Sequence, residues 1–274
     1  AQVTADNVVN AGDIDTVTDI TISEQALEGL GGDITLQATR DVIFQDLTDD
    51  LLNLNLLTGG STFTVTAGRH ILATADVNDR VQTNGGAVTF TTTNGQISIG
   101  GARSKGGAVT LTAGGASGNL VVREVTTTPT GGFGGGIALT SGNFMTLGGA
   151  NIDARGPGGR GDVALNSSGA ISQQSGTTLW ANSLRMSAVG GIANSTSGAM
   201  AIDLTGSVNA GNTGSGNIKL SHIGTNGIVV DDLSLVGYGI RNTAPGGSVS
   251  LESTLGLVTV QSKIQANASD IELI

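Results

Sequence analysis

The sequence predicts an all-β chain folded as one parallel β-helix, a β-solenoid of about 11–12 coils, and three observations carry that expectation. A glycine-led unit recurs along the chain; within each copy apolar residues alternate with Thr, Ser or Ala; and the copies follow one another at a roughly constant interval. The clearest copy is Gly106-Gly107-Ala108-Val109-Thr110-Leu111-Thr112-Ala113-Gly114. It returns as Gly31-Gly32-Asp33-Ile34-Thr35-Leu36, Gly59-Gly60-Ser61-Thr62-Phe63-Thr64-Val65, Gly85-Gly86-Ala87-Val88-Thr89-Phe90 and Gly135-Gly136-Ile137-Ala138-Leu139, and more faintly at Gly161, Gly216 and Gly246. An apolar period of two marks strands with one face buried and one wet. The anchors Ile34, Phe63, Val88, Val109, Ile137, Val163, Ile218 and Val249 are spaced by roughly 20 to 30 residues, the length of a solenoid coil. Two degenerate coils, near Leu184-Arg185-Met186 and Ile202-Asp203-Leu204, fill the gap after Val163.

Each coil then divides into arms. Residues 1–30 carry strand-like alternation at Val8-Val9, Ile14, Val17 and Ile20-Thr21-Ile22, then a helical turn at Glu24-Gln25-Ala26-Leu27-Glu28, and form the first coil or coils. A second arm follows each anchor at Val42 and Phe44, Ile71, Ile97 and Ile99, Leu120 and Val122, Met145 and Leu147, Ile171, Ile228 and Val230, and Val258 and Val260. A third is implied by Leu54 and Leu56, Val77 or Val81, Val125, Ile152, Leu179 and Ala181, Leu235 and Ile264. Equivalent residues of successive coils stack about 4.8 Å apart into apolar ladders, so the rod is expected to be roughly 50 to 60 Å long. Residues 31–260 hold the clear repeats and 261–274 an uncapped last coil, all within one domain spanning 1–274.

Composition fits this architecture. With 45 Gly, 3% aromatic and 12% charged residues, the chain has turns and small ladder residues but not the bulky core of a compact globule. The absence of cysteine rules out disulfides and thiolate metal sites. A net charge of −10 disfavours nucleic acid and anionic membranes, which bind through cations. No run of about 18 apolar residues exists and no basic-then-apolar leader precedes Ala1, so a soluble chain without membrane insertion is expected.

The pattern Gly-Gly-x-Val/Ile-x-Leu-x-Ala, turn, Ile-x-Ile, carried by Gly106–Ala113 and Ile97–Ile99 among others, resembles the repeats of filamentous haemagglutinin-like proteins. These are right-handed β-helical adhesins and exoproteins of Gram-negative bacteria exported by two-partner secretion. The resemblance covers most of residues 31–260 and implies a right-handed β-helix, secreted or held at the cell surface, acting as a structural or adhesive shaft without catalysis or cofactor. Implied partners are itself, head to tail, or adjoining segments of a longer shaft, and a host or surface receptor or glycan. The family's secretion-domain motif Asn-Pro-Asn-Gly is missing, which points to a shaft segment.

Several constellations bear on function. Arg160-Gly161-Asp162 spells an integrin-recognition tripeptide, though the turn chemistry of Gly at positive φ and Asp beside it explains it as well. Gly158-Gly159-Arg160-Gly161-Asp162 stands alone, where a calcium roll needs tandem copies. Asp46, Asp49, Asp50, Asp76, Asp79 and Arg80 are expected to form a surface cluster near Arg103 and Lys105. In a polysaccharide lyase such a groove holds calcium on carboxylates and abstracts a proton with Arg or Lys; ion pairing between loops is the plainer account. His70 and His222 have no Ser or Cys partner in a recognisable motif. Outward Thr64, Thr66, Thr89, Thr91, Thr110 and Thr112, with Thr35 and Thr140 at the ends, form a row suited to ice-like water or simply to β-stacking. Trp180 and Tyr238 are expected to fill widened coils. Asp270-Ile271-Glu272-Leu273-Ile274 alternates like one more strand, making Ile271 and Leu273 candidates for end-to-end stacking.

Overall fold

A computed structural model of the chain describes the backbone of Val8–Val9 and residues 22–45, 47, 49–54, 60–73, 78–233, 237–267 and 269–274. The chain is a β-solenoid of about 9 turns, which at about 4.8 Å per turn is a rod of about 40 Å, shorter than the repeat count implied. All its strand pairs are parallel and fall into two sheets of 13 and 15 strands.

The first sheet stacks Ile34–Ala38, Phe63–Ala67, Val88–Thr92, Val109–Ala113, Ile137–Ser141, Val163–Ser167, Leu184–Ala188 and Ser207–Asn212. Its register aligns Ile34, Phe63, Val88, Val109, Ile137, Val163, Leu184 and Val208 in one inward column. The buried column beside it includes Val65, Phe90, Leu111, Leu139 and Leu165. Phe90 anchors the early core, meeting Phe63 edge-on at 5.6 Å and stacking on Phe44 at 5.9 Å. The second sheet receives both remaining arms, which fuse into single strands at Ile97–Arg103 and Leu120–Thr126. Val8–Val9 pairs with Thr35–Leu36, so a rung precedes Ile34. The helix falls where expected, at Glu24–Glu28, with the Ser23 hydroxyl accepting from the Ala26 amide and Leu27 buried.

Two devices fix the corners. The glycine two residues before the anchor meets the coil beneath it: a Cβ on Gly107 would stand 2.3 Å from the Gly86 carbonyl oxygen, on Gly135 2.1 Å from that of Gly107, and on Gly161 2.3 Å from that of Gly135. Such contacts leave no room for a side chain. At the far end of the strands, inward hydroxyls and amides close the turn: Thr92 donates to the Gly95 carbonyl at 2.6 Å, Ser141 to that of Phe144 at 2.7 Å, and Asn212 to that of Ser215 at 2.8 Å. These three inward polar groups are thereby paired.

The register corrects the sequence expectation beyond Val163. Leu184 continues the first sheet as expected, but Ile202 pairs with Leu179 in the second sheet and belongs to the same turn as Leu184. The next first-sheet strand is Ser207–Asn212. Ile218 and Val249 stack on Ile192 in the second sheet, not on Val163. Conversely Ile228, Val230, Val258, Val260 and Ile264 lie in the first. Counting Ile202 as its own coil inflated the number of turns. The expected positions Ile14, Val17, Leu56, Val77 and Leu235 lie outside the described residues.

Candidate functional site

Of the expected acidic surface cluster, one described member is not at the surface. Asp79 is buried, with Oδ1 accepting from the Leu47 amide at 3.4 Å. Asp49 accepts from the Leu51 amide at 3.2 Å, and Asp50 sits at φ 61 with its carbonyl accepting from the Arg80 amide. Asp46 and Asp76 lie outside the described residues.

Arg80 turns instead toward Glu124, two coils away. Its path crosses Gly101, where an added Cβ would lie 3.4 Å from Arg80 Cγ and 3.1 Å from Glu124 Cβ. Arg80 Nε stands 3.1 Å from Glu124 Oε2, and Arg103 grips the same carboxylate through Nε at 2.8 Å and Nη2 at 3.0 Å. Burial pushes the Glu124 carboxyl up, but the Arg103 hydrogen bond and the charges of Arg103 and Arg80 outweigh it and hold the group below its ordinary range. Lys105 occupies a corner at φ 49. No group of three His, Cys, Asp or Glu suited to a metal occurs among the described residues.

The same outward face continues in register from Arg103 through Thr126, Asp153 and Trp180 to Asp203. Trp180 therefore lies outside the core, contrary to expectation, because Leu179 and Ala181 take the inward positions. Arg155 clasps Asp153 through Nε at 2.9 Å and Nη2 at 2.7 Å, and its guanidinium lies 4.0 Å from the Trp180 ring centroid. Arg160 Nη1 donates to Asp203 Oδ1 at 2.9 Å and Nη2 to Oδ2 at 3.3 Å. The integrin-like tripeptide is thus tied down within the chain. Asp162 Oδ1 accepts from Asn182 Nδ2 at 2.9 Å and from the Ser183 amide at 3.1 Å. Gly161 is not among the positive-φ glycines; its role is the close approach to Gly135.

Both histidines meet backbone groups, His70 half-buried and His222 in the core. His70 Nδ1 accepts from the Gln96 amide at 3.1 Å. His222 points inward and is fully buried, with Nε2 3.0 Å from the Leu204 amide nitrogen and 3.3 Å from the Leu204 carbonyl oxygen. Burial lowers its pKa; the Leu204 contact and Asp203 raise it in part, and Arg160 lowers it further.

The threonines stand as expected, in two outward columns: Thr35, Thr64, Thr89 and Thr110, and Thr66, Thr91, Thr112 and Thr140.

A second arrangement was not read from the sequence. Strand Ser207–Asn212 pairs through Val208 with Val230 and through Ala210–Asn212 with Ile240–Asn242, so the first sheet is split there into two half-strands. On the outer face beside this break lies a cleft of ≈ 240 Å³ lined by Arg185, Asn209, Gly211, Thr213, Tyr238 and Arg241 among others. Asn209 Nδ2 donates to the Tyr238 carbonyl at 2.8 Å. Arg241 lies over the Tyr238 ring, 4.9 Å from its centroid, and donates through Nε to Gln265 at 3.1 Å. Tyr238 is thus a wall of the cleft and not a core filler. The available signal was the coil-spaced column Ser187, Gly211, Arg241, which is hidden because the repeat changes phase between its last two members.

Comparison with family models, with curated proteins and with solved structures finds no match. The fold itself establishes a β-helical repeat protein.

Proposed function

We propose that the chain is a non-catalytic shaft of a bacterial surface or extracellular protein, exported and related to the filamentous haemagglutinin-like exoproteins its repeats resemble. The observation that supports this reading is the parallel stacking of the described strands from Ile34–Ala38 to Ile271–Leu273, whose second-sheet face spends Glu124, Asp153 and Asp203 on Arg80, Arg103, Arg155 and Arg160. Carboxylates held this way bind neighbouring coils together and are not free for proton transfer or calcium.

The last rung suits continued stacking. Strands Val258–Val260, Lys263–Ala266 and Ile271–Leu273 have one paired edge each, and Val260, Ile271 and Leu273 are 46%, 45% and 46% exposed. An open strand edge with apolar ladder residues beside it is a template for another coil, from an adjoining segment or from a second copy in a head-to-tail contact. Light scattering of the chain against a variant with Ile271→Lys and Leu273→Lys tests the second-copy form. Concentration-dependent growth that the variant loses supports it; equal monomeric behaviour of both sinks it. The rival reading, a polysaccharide lyase, is tested by assaying uronate polymers for unsaturated ends with and without calcium, and their appearance would overturn the shaft.

A further inference from the structure

The cleft beside the split between Val230 and Tyr238 brings together arginines that hold no carboxylate, a state that Arg40, Lys105, Arg123 and Lys219 share among the described residues but outside this cleft. Asp and Glu number 22 against 12 Lys and Arg, so carboxylates are abundant. Arg69, Arg80, Arg103, Arg155 and Arg160 each hold one. Arg185 and Arg241 hold none among the described residues, and Lys263 Nζ lies 5.8 Å from the Tyr238 ring that Arg241 also covers.

The geometry presents these groups to a ligand. Arg185, Gly211 and Arg241 lie on three successive rungs of the first sheet, Gly211 directly below Arg241 in the register. The glycine keeps the floor open, since a Cβ there would meet nothing closer than the Met186 carbonyl oxygen at 4.0 Å. Stacking on Tyr238 and the Nε bond to Gln265 orient the Arg241 guanidinium and leave its terminal nitrogens as a fork for a planar carboxylate. Ser187, Thr213 and Thr243 add hydroxyls to the rim. At ≈ 240 Å³ the cleft is smaller than the roughly 300–1,000 Å³ that drug-sized ligands need, so it suits a single ring.

We propose that this cleft binds one uronate unit of an acidic polysaccharide, with Arg185 and Arg241 taking the carboxylate and the hydroxyl rim taking the sugar hydroxyls. The fork matches the two coplanar oxygens of a carboxylate, the sulfated probes of the test separate this from a tetrahedral oxyanion that a guanidinium also takes, and the hydroxylated rim suits a sugar better than the apolar side chains of an acidic peptide. The site rests on the non-catalytic reading and gives the shaft a ligand.

The test titrates the intact chain with trigalacturonate, with a neutral trisaccharide, with a sulfated trisaccharide and with inorganic sulfate, by calorimetry at low and at raised salt. Two variants accompany it: Arg241→Gln, which removes the fork, and Gly211→Leu, which fills the floor without meeting backbone; thermal melts confirm that each folds. Expected are saturable trigalacturonate binding that weakens with salt, no binding of the neutral sugar, weaker binding of both sulfate forms, and at least a tenfold loss in each folded variant. Absence of trigalacturonate binding, equal binding of the neutral sugar or of inorganic sulfate, or undiminished binding by folded Gly211→Leu would overturn the site. Tighter binding of the sulfated sugar would overturn the uronate assignment. Unsaturated ends arising during the titration would instead overturn the non-catalytic reading, so the two failures are distinguishable.

Discussion

From Phe63 to Ser167 each turn enters the first sheet once and spends its remaining strands in the second, whereas from Ile228 onward each turn enters the second sheet once and the first in two short pieces. In the earlier turns extra residues lie near the second sheet or its corners, as in the glycine-rich loop after Thr126; in the later ones the break falls inside the first sheet, between Val230 and Tyr238. The same glycine-led motif feeds the first sheet at Val109 and the second at Ile218 and Val249. The motif therefore specifies a corner and an inward residue, and the position of the loops decides which sheet that residue joins. The cleft exists only in the later arrangement, because it needs the first sheet to be split.

The largest effect is expected where both regions share the ladder. Leu111 is fully buried in the inward column, so Leu111→Asp places an unpaired carboxylate in an apolar stack and costs several kcal/mol, while outward Thr110→Asp stays hydrated. Urea melts of the two variants compare them, and equal loss would invalidate the in/out register. Next come two glycines that the comparison separates. Gly107→Ala forces a Cβ to 2.3 Å from the Gly86 carbonyl oxygen and is expected to cost at least about 2 kcal/mol, whereas Gly211→Ala has 4.0 Å of clearance and stays within about 1 kcal/mol of the parent, on either side. Similar melts for both would show that the corner is not as tightly stacked as described.

A smaller effect is tied to pH. His222 titrates in the fold below its unfolded value of about 6.5, because burial opposes its charge; Asp203 and the Leu204 contact partly favour the charge and Arg160 opposes it. Below that pH the unfolded chain takes up a proton that the folded chain refuses, so this contribution is present above about pH 6.5 and is lost as pH falls. His222→Gln should flatten the decline between about pH 6.5 and 5 in melts of the chain; an unchanged slope would sink the assignment. The smallest expected change is Glu124→Gln. The depressed carboxylate stabilises above its unfolded value of about 4.3 and loses that effect as pH falls through its folded value. The substitution should cost about 1 kcal/mol at neutral pH, the pair being partly exposed, and nothing at pH 2; an equal cost at both would point to packing instead of charge.

The sequence made the strands legible wherever alternation was clean, down to the helix at Glu24–Glu28 and the threonine columns, because an inward residue every second position is a local property. It did not show the change of phase, since Ile202 and Ile218 are good inward residues in either sheet and nothing adjacent to them states which neighbour they stack on. The charged face was half legible: Arg103 and Arg80 stood out, but their partner Glu124 required the gap at Gly101, a pairing across two coils. Asp79 and Trp180 were misplaced for opposite reasons, one being an acid that the fold buries and the other an aromatic ring that alternation turns outward.

The stacking order from Ser207 onward is tested most directly by disulfide trapping, since the chain has no cysteine of its own and residues in register lie within the roughly 4.4–6.8 Å Cα separation a disulfide spans. Gly211→Cys is combined in turn with Ser187→Cys, with Arg241→Cys and with Ser221→Cys, and each pair is oxidised and mapped by mass spectrometry. Rapid, complete closure of the first two pairs and none of the third is the result expected from Gly211 stacking between Ser187 and Arg241. Closure of the Ser221 pair with failure of the Arg241 pair would mean that the repeat keeps its phase to the end, and that neither the split sheet nor its cleft exists.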